Sequence, residues 1–445
     1  MSEWKKVKIG EFLTESKVLA EKSDAAHRIT VRLNCKGVEK RGLKAEKEGA
    51  TKYYTRYAGQ FIYGKQNIHK GAFGIIPPEL DCFTSSADLP AFDIDESKCI
   101  PEWIPLCLKV DERYKTLQKE VKGVGSQRLA VNVFLNVEIP LPDVNVQRKI
   151  LAKVSKKITS IALLDDETEK QKSYAKQLRQ NILQEAIEGK LTADWRKQHP
   201  VQKGNPDYDA EALFEKIQAE KLETKSTKKT VAPIAKDEIP FEIPTNWKWV
   251  RLGEIIQESP RNGYSPKAVD FETSIKTLKL GAVTYGVFDP SEFKYINEKI
   301  PEDAYCWLKN GDFLNERSNS FEYVGICAIY TGKDNEFMYP DLLMRFRTAE
   351  ILLKEYIHSA LVSPFNREYF MANAKGAQKT MPKINQECVV NTMIPLPPLA
   401  EQKEIIARVE QHIQTITQLE TQIATRETTT KQLMQSILKD AFEEG

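Results

Sequence analysis

The sequence predicts an α+β protein made by internal duplication, with two similar α/β-type domains at opposite ends of an antiparallel pair of long helices and a pseudo-two-fold relation between the halves. The motif Ile-Pro-Leu-Pro occupies 139–142 and again 394–397, and a long stretch with helical periodicity follows each copy. The two stretches keep one offset, 394 minus 139 or 255 positions. A shorter motif that starts at Trp4 returns at Trp247. A constant offset with retained apolar residues indicates duplication.

Composition places the chain among soluble globular proteins. Its 445 residues allow about two to four domains, and 41% are hydrophobic and 29% charged. The net charge of +2 neither requires nor excludes a polyanionic partner, because binding faces are local. The seven cysteines form no C-x-x-C pair and the five histidines are scattered, which argues against a zinc site and for a reducing compartment. Without a signal region or a long apolar run, we expect a cytoplasmic protein with no membrane partner.

The regions before the two helices predict compact mixed domains. Short β-rich runs such as Phe61–Tyr63 and Val324–Tyr330 are bounded by turn residues, and helical patterns such as Pro101–Gln118 and Ile351–Ser363 lie between such runs. Between the repeats, Asp207–Glu223 has another helical pattern, and the polar, lysine-bearing stretch after it predicts a flexible linker.

The long helices carry apolar residues at heptad-like spacing. A helix from about Gln147 to Gly189 would be roughly 65 Å long at about 1.5 Å per residue. Such a helix is only marginally stable alone, so each needs a partner, and the other copy is the obvious one. The alternative is that each apolar seam packs on its own domain. The residues predicted to pair the helices are Leu151, Val154, Ile158, Ile161, Leu178 and Ile182 in the first copy and Ile406, Val409, Ile413, Ile416, Leu433 and Ile437 in the second.

No stretch carries a convincing catalytic motif. Asn205–Tyr208 is similar to the Asn-Pro-Pro-Tyr motif of amino-methyltransferases, but Asp207 replaces the second proline and no glycine-rich strand–turn–helix precedes it. A phosphate loop of the type G-x-x-x-x-G-K-[ST] is absent from the sequence. A nuclease pattern built on Asp207 and Glu223 would put a metal site in a linker. We therefore interpret 205–208 as linker and predict no catalytic residue, no metal site and no cofactor in this chain.

Basic and amide side chains near glycines recur in both domains. Arginine or lysine can pair with guanine and asparagine or glutamine with adenine in the major groove, and the same cations neutralise phosphates. Gly125 and Gly376 would let the backbone approach a phosphate. Each residue alone could be an ordinary solvated turn, but the paired set favours DNA contact. The predicted DNA-binding residues are Lys65, Gln66, Asn67, Lys122, Gln127 and Arg128 in the first domain and Arg317, Ser318, Asn319, Lys375, Gln378 and Lys379 in the second, with Arg128 aligned opposite Lys379.

This layout resembles the specificity (S) subunits of type I restriction–modification enzymes, in which two target-recognition domains alternate with two helical regions. The resemblance covers essentially the whole chain, and one difference is that Val146 stands in the first copy where Glu401 stands in the second. The segments that carry it are 394–402 with its helix, 186–192, 237–244 with the following Trp motif, and 311–314. It implies target-recognition domains at 1–142 and 246–397, long helices at 143–190 and 398–445, and a helical segment with a linker at 191–245.

The resemblance also implies a function, that of a non-catalytic subunit of a DNA methyltransferase/endonuclease complex. Each domain would read one half of a bipartite, asymmetric site in double-stranded DNA, and the paired helices would set the gap. The partners would be two adenine methyltransferase (M) subunits and restriction/translocase (R) subunits, which would bind S-adenosylmethionine, ATP and Mg²⁺. Three alternatives remain: a coiled-coil DNA-targeting adaptor of a methyltransferase-only or related system, a stand-alone methyltransferase or nuclease, and a structural adaptor that does not bind DNA.

Overall fold

A computed structural model of the chain describes residues 4–21, 24–42, 52–121, 127–223, 231–376 and 381–443. The chain forms two compact units. Unit 1 comprises residues 1–171 and 422–445, and unit 2 comprises residues 172–421. The predicted α+β class and the internal duplication are confirmed, because both units combine helices with antiparallel sheets and repeat one sheet order.

Unit 1 contains a four-stranded antiparallel sheet and smaller strand pairs. Its strands are β1 (Lys6–Lys8), β2 (Leu13–Ser16), β3 (Ile29–Val31), β4 (Val38–Lys40), β5 (Tyr53–Thr55), β6 (Phe61–Tyr63), β7 (Phe73–Ile75), β8 (Thr84–Ser86), β9 (Ala91–Ile94) and β10 (Glu138–Pro140). Its helices are α1 (Trp103–Lys109), α2 (Arg113–Thr116), α3 (Val131–Leu135) and the first part of α4 (Val144–Ile187). The sheet order is β2-β9-β6-β7, while β1 pairs with β10, β3 with β4 and β5 with β8.

Aromatic rings fill the core of unit 1. Phe61 of β6 stacks on Phe134 of α3 with ring centroids 5.5 Å apart, and Tyr63 lies 4.6 Å from the same ring. Trp103 is fully buried and donates its indole N–H to the carbonyl of Pro140 at 2.9 Å. Buried rings contribute large apolar areas, and the indole bond satisfies a buried polar group, so these contacts fix α1 and α3 against the sheet.

Unit 2 repeats the sheet and adds another. Its helices are the rest of α4, α5 (Ala193–Gln198), α6 (Ala210–Glu223), α7 (Leu252–Ile255), α8 (Lys354–Val362), α9 (Pro364–Asn373), α10 (Gln386–Val390) and the first half of α11 (Leu399–Glu443), whose second half belongs to unit 1. Its strands are β11 (Lys248–Arg251), β12 (Ile256–Asn262), β13 (Ala268–Val269), β14 (Ile275–Leu278), β15 (Phe293–Ile296), β16 (Phe313–Glu316), β17 (Cys327–Ile329), β18 (Leu343–Thr348) and β19 (Met393–Leu396). The order β12-β18-β16-β17 matches unit 1, β11 pairs with β19, and β13-β15-β14 is an added sheet.

A buried glutamine fixes each long helix to its unit. The side-chain N–H of Gln147 donates to the carbonyl of Pro142 at 2.8 Å, and its Oε1 accepts the N–H of Ile100 at 2.9 Å. Gln402 donates likewise to Pro397 at 2.9 Å and accepts a backbone N–H at 3.2 Å. Because one amide supplies both a donor and an acceptor, the Ile-Pro-Leu-Pro hinge is held in the same way in both units.

Glu401 adds a contact network at the start of α11. Its fully buried carboxylate accepts hydrogen bonds from the Thr192 hydroxyl at 2.7 Å, the Trp247 indole at 2.7 Å and the Asn246 amide at 3.2 Å, and it pairs with Arg196. The carboxylate therefore joins the start of α5, the Trp motif and the start of α11 within unit 2.

The segment interpreted as a linker caps the same helix. The carbonyls of Pro206 and Asp207 accept the N–H groups of Leu399 and Ala400, each at 3.1 Å. These N–H groups belong to the first turn of α11, where no intrahelical acceptor exists. The segment 205–208 thus connects α5 and α6 and in addition satisfies the N-terminus of α11.

Within each unit the two long helices run antiparallel. Arg426 donates to Gln171 at 2.9 Å in unit 1, and Arg179 pairs with Glu420 at 3.0 Å in unit 2. A row with a spacing of seven is buried along both helices. Its members are Val154, Ile161, Thr168, Ala175 and Ile182 in α4 and Val409, Ile416, Ile423 and Thr430 in α11.

The structure places the predicted pairing residues in three groups. Val154, Ile161, Ile182, Ile406, Val409 and Ile416 are buried, whereas Leu151, Ile158, Ile413 and Ile437 are partly buried against the cores. Leu178 and Leu433 are 44% and 47% exposed, so their predicted place in the seam is wrong. Each lies three residues after a member of the buried row, Ala175 or Thr430, and therefore on the flank of that row.

The starts of the helices also pack on their own domains. Ile150 and Val154 belong to the core of unit 1, and Ile405, Ile406 and Val409 to the core of unit 2. The two alternatives for the seam therefore both apply, each to a different part of the helix. In the part of the chain that the structure describes, no helix has the length and apolarity needed to cross a bilayer.

Candidate nucleic-acid interface

In unit 1, part of the predicted set gathers where the loop after β6 meets the segment before α3. The N–H of Lys65 donates to the carbonyl of Asp88 at 2.9 Å, and its carbonyl accepts the N–H of Leu129 at 2.8 Å. Arg128 makes two bonds to the Asp88 carboxylate, at 2.9 and 3.2 Å, and both side chains are about half exposed. Hydrogen bonding to Asp88 raises the pKa of Arg128. The guanidinium is thus oriented and neutralised by a carboxylate of its own unit.

The other members of the unit 1 set differ in exposure. Gln66 and Gln127 are exposed, and Lys65 and Asn67 are partly buried. The carbonyl of Asn67 accepts the N–H groups of Lys70 and Ala72 at 2.9 and 3.1 Å, which closes the loop. The predicted contact Lys122 lies outside the described residues.

In unit 2, the loop after β16 has the same backbone frame. The N–H of Arg317 donates to the carbonyl of Leu342 at 2.9 Å, and its carbonyl accepts the N–H of Ile384 at 3.0 Å. Lys383, next to Ile384, exchanges two backbone bonds with Lys375 at 2.8 and 2.9 Å. The structure therefore brings two predicted residues, Arg317 and Lys375, together with a third cation.

These three cations line one open groove of about 410 Å³. Asn373 and Asn385 contribute amides to the lining and Glu387 a carboxylate. Among residues 231–376 and 381–443, no ion pair joins a carboxylate to Arg317, Lys375 or Lys383. The groove thus offers positive charge and amides, which is the chemistry that phosphates and base edges require.

The shared frame corrects the alignment of the two domains. Because Leu129 and Ile384 make the same contact, Arg128 corresponds to Lys383 and not to Lys379. The glycines at 125 and 376 suggested the wrong register. The signal that could have identified Lys383 was the offset of the hinge, since 128 plus 255 is 383. Gln378 and Lys379 lie outside the described residues.

Ser318 and Asn319 have internal positions. Ser318 is fully buried in a bridge to Lys383, so its side chain does not reach the surface that the predicted DNA contact requires. Asn319 donates its amide to Glu316 at 2.8 Å, and Thr284 donates its hydroxyl to the same carboxylate at 2.6 Å. Burial raises the pKa of Glu316, and these two bonds oppose the rise. Asn319 thus positions the loop.

The chain is similar to known DNA specificity proteins. A family model described as the type I restriction modification DNA specificity domain matches residues 244–426, which include the groove of unit 2. The EcoEI specificity subunit of Escherichia coli is 28% identical over 275 residues, 60% of this chain and 45% of that protein. The EcoKI specificity subunit of E. coli K12 is 26% identical over 308 residues, 69% of this chain and 57% of that protein. The chain thus spans about half the length of these curated relatives.

A solved structure shows the same fold over nearly the whole chain. It comes from work on complex assembly and conformational transition of the type I R-M system, with a TM-score of 0.57, 19% identity, and coverage of 99% of this chain and 98% of that one. The likeness to this structure concerns the fold, and the matched family model places a type I DNA specificity domain at residues 244–426. The resemblance of this chain to type I restriction–modification specificity subunits is confirmed. Over the described ranges, no group of three or more His, Cys, Asp or Glu side chains is placed to hold a metal ion.

Proposed function

We propose that this chain is the DNA-reading subunit of a type I restriction–modification complex, and that each unit reads one half of a bipartite, asymmetric site in double-stranded DNA. The observation that carries the proposal is the repeated frame around Lys65 and Arg317, which presents different side chains from one backbone arrangement. Identical frames with different side chains suit two different half-sites. Cations and amides at these positions provide both phosphate and base contacts.

Two exposed leucine pairs support the proposed methyltransferase partners. In unit 1, Leu164 lies seven residues before Gln171 and Leu433 seven after Arg426, so the Gln171–Arg426 contact puts these leucines at one level of the antiparallel helices. They are 45% and 47% exposed. Exposed apolar side chains grouped on a surface favour a protein contact.

Unit 2 has the equivalent pair beside the Arg179–Glu420 contact. Leu178 and Leu419 are 44% and 43% exposed, and each lies 255 positions from a leucine of the unit 1 pair. Equivalent exposed leucines in both units fit two copies of one partner, the adenine methyltransferase subunit. Restriction/translocase subunits would join that complex. S-adenosylmethionine, ATP and Mg²⁺ would bind in the partners, since this sequence has no methyl-donor or phosphate-loop motif.

Mapping of adenine methylation in the host genome tests the function. Strains with and without the chain should differ at one bipartite motif that contains two defined halves. The double variant Arg317→Ala, Lys383→Ala should relax or abolish recognition of one half only. Methylation that is unchanged when the chain is removed would refute the proposal. Binding of S-adenosylmethionine by the purified chain in calorimetry would instead support a stand-alone methyltransferase.

The helices provide a second test, because the buried row repeats every seven residues. Deletion of 165–171 together with 420–426 removes one equivalent heptad from each helix and keeps the row continuous. At about 1.5 Å per residue the helices shorten by about 10 Å, or about three base pairs, and the gap in the motif should shrink accordingly. A matched deletion of four residues from each helix breaks the row and should abolish methylation. An unchanged gap after the heptad deletion would exclude the helices as its determinant.

A further inference from the structure

Unit 2 exposes large aromatic side chains on two neighbouring loops. Tyr285, on the loop 283–287, is 81% exposed, and Phe321, on the loop after β16, is 46% exposed. The ring of Tyr285 meets that of Tyr323 edge to face, with centroids 6.4 Å apart. Exposed aromatic side chains that cluster on a loop surface indicate a binding function.

Internal contacts hold both loops in place. The buried carboxylate of Glu316 accepts from Thr284 on one loop and from Asn319 on the other. The ring of His358, on α8, lies 2.9 Å from the carbonyl of Cys327, where β17 begins after the second loop. The loops are therefore fixed relative to each other, and little conformational entropy remains to be lost on binding.

A further anchor holds the tip of the second loop. Arg367 donates to the carbonyl of Val324 at 2.7 Å and to the carbonyl of Glu322 at 2.9 Å. Ser320 accepts the N–H groups of Tyr323 and Val324 at 3.0 and 2.9 Å. The rings of this loop thus project from a turn that is braced by a side chain and by its own backbone.

The same loop also carries a cation of the candidate interface. Arg317, which lines the groove, is four residues before Phe321 and six before Tyr323. Glu322 lies between the two rings in sequence, and its negative charge disfavours a phosphate at the tip. The cation lies where the loop leaves the sheet and the rings lie at the tip of the loop. This arrangement suits DNA whose phosphates contact the cation while a step between two nucleobases contacts the rings.

We propose that Tyr285, Phe321 and Tyr323 form an aromatic wedge with which unit 2 contacts and partly unstacks one base step of duplex DNA. The inference rests on the proposed function. It adds that unit 2 contacts DNA by aromatic stacking and that its half-site contains an easily deformed base step. Pyrimidine–purine steps unstack at the lowest cost, so the half-site of unit 2 contains such a step opposite the wedge. Specificity there arises from deformability in addition to hydrogen bonds.

The test uses the full-length chain, alone and with its co-expressed methyltransferase partner. The probe is a duplex that carries the methylated motif, with 2-aminopurine placed in turn along each half. Bound wild-type protein should increase the fluorescence of the probe at one step of one half. Tyr285→Ala and Phe321→Ala should each weaken binding about 10-fold and remove that increase. The slope of affinity against salt should stay unchanged, because ring contacts release no counterions.

Three matched variants sharpen the test. Tyr285→Phe keeps the ring and should bind like wild type. Phe271→Ala removes a phenylalanine of unit 2 that is 57% exposed and lies outside both loops, and it should have no effect. Arg317→Ala should reduce the salt slope by about one, because one phosphate contact is lost, and should leave the fluorescent step in place. Thermal unfolding of each variant confirms that the protein is folded.

The outcomes separate the inference from the proposed function. A wild-type complex without preference for the motif duplex would refute the function itself. Preference for the motif, with Tyr285→Ala and Phe321→Ala indistinguishable from wild type, would overturn the wedge and leave the function intact. Loss of methyltransferase co-purification by these variants, with DNA binding unchanged, would also overturn it and assign the rings to a protein partner.

Discussion

The loop between β6 and β7 in unit 1 and the loop between β16 and β17 in unit 2 follow equivalent strands but present different chemistry. In unit 1 a 3-10 turn at Ile68–Lys70 closes the loop, and Gly71 ends it with φ of 81°. A Cβ on that glycine would lie 2.7 Å from the backbone nitrogen of Cys35, so the turn packs closely on the domain. In unit 2 the equivalent loop carries two aromatic rings, of which Phe321 is exposed and Tyr323 partly buried. The sheet and the hinge are thus the same in both units, while the loops differ.

The charges at the two interfaces differ in the same way. Arg128 in unit 1 is held by Asp88, whereas its counterpart Lys383 in unit 2 faces an open groove with Arg317. An internally paired guanidinium offers less net charge to a phosphate but a fixed orientation for a base edge. Unit 1 is thus suited to hydrogen bonding with base edges, and unit 2 is suited to stronger contact with DNA phosphates.

The largest expected effect on the unfolding free energy comes from a substitution that makes the two hinges alike. Glu401→Val, which introduces the residue found at Val146 in the first copy, removes the buried carboxylate that pairs with Arg196 and accepts three other hydrogen bonds. Loss of one partner of a buried ion pair costs about 3–5 kcal/mol. Urea denaturation of the full chain should show that loss. Val146→Ile serves as the control in the other copy, and equal midpoints for both variants would contradict the role of Glu401.

Replacement of the buried glutamines should have smaller effects of similar size. Gln147→Ala removes bonds to two carbonyls and one N–H, and Gln402→Ala removes bonds to one carbonyl and one N–H, each at a cost of about 1–3 kcal/mol. Denaturant titration, followed by a fluorescent reporter placed in each unit, measures the unfolding free energy of both variants. If one variant proves neutral while the other does not, the hinges are not held equivalently despite their matching bonds.

The interface charges should separate the two units in DNA binding. Arg317→Ala with Lys383→Ala should lower the salt slope by about two, since both groups lack an internal acidic partner in the described chain. Arg128→Ala should change it by less than one, because Asp88 already neutralises that cation. Fluorescence anisotropy of labelled duplex across a salt series gives both slopes. Asp88→Asn should raise affinity, and no gain from it would contradict the pairing argument.

The smallest effect concerns Glu316, whose pKa is raised by burial from an ordinary value of 4.5. A carboxyl with a raised pKa binds its proton more tightly in the folded state, so the unfolding free energy falls as the pH rises from about 4.5 to the folded pKa and then levels. Glu316→Gln should remove this fall and be slightly more stable than wild type at neutral pH. Denaturation between pH 4 and 8 measures the difference, and parallel curves for both proteins would argue against it.

Patterns that repeat along the chain were predictable, and those that depend on packing were not. Periodicity and the offset of 255 predicted both long helices, the hinges and the duplicated domains, because apolar spacing and proline act locally. The inward turn of Ser318 and the exposure of Leu178 depend on neighbours that are distant in sequence. The network of Glu401 likewise joins residues up to 209 positions apart, from Thr192 onward. Lys383 was not predicted because the two domains were aligned on Gly125 and Gly376 and not on the offset of 255.

The glutamine contacts at the two hinges bear on how this protein behaves when solution conditions change. An amide does not titrate, and a buried neutral hydrogen bond is little affected by salt, so the joints at Gln147 and Gln402 should hold across wide ranges of pH and ionic strength. The cationic groove of unit 2, by contrast, is sensitive to ions. If DNA binds at this groove as proposed, salt should release it while the protein keeps its architecture, so that the complex could be emptied and reloaded without refolding.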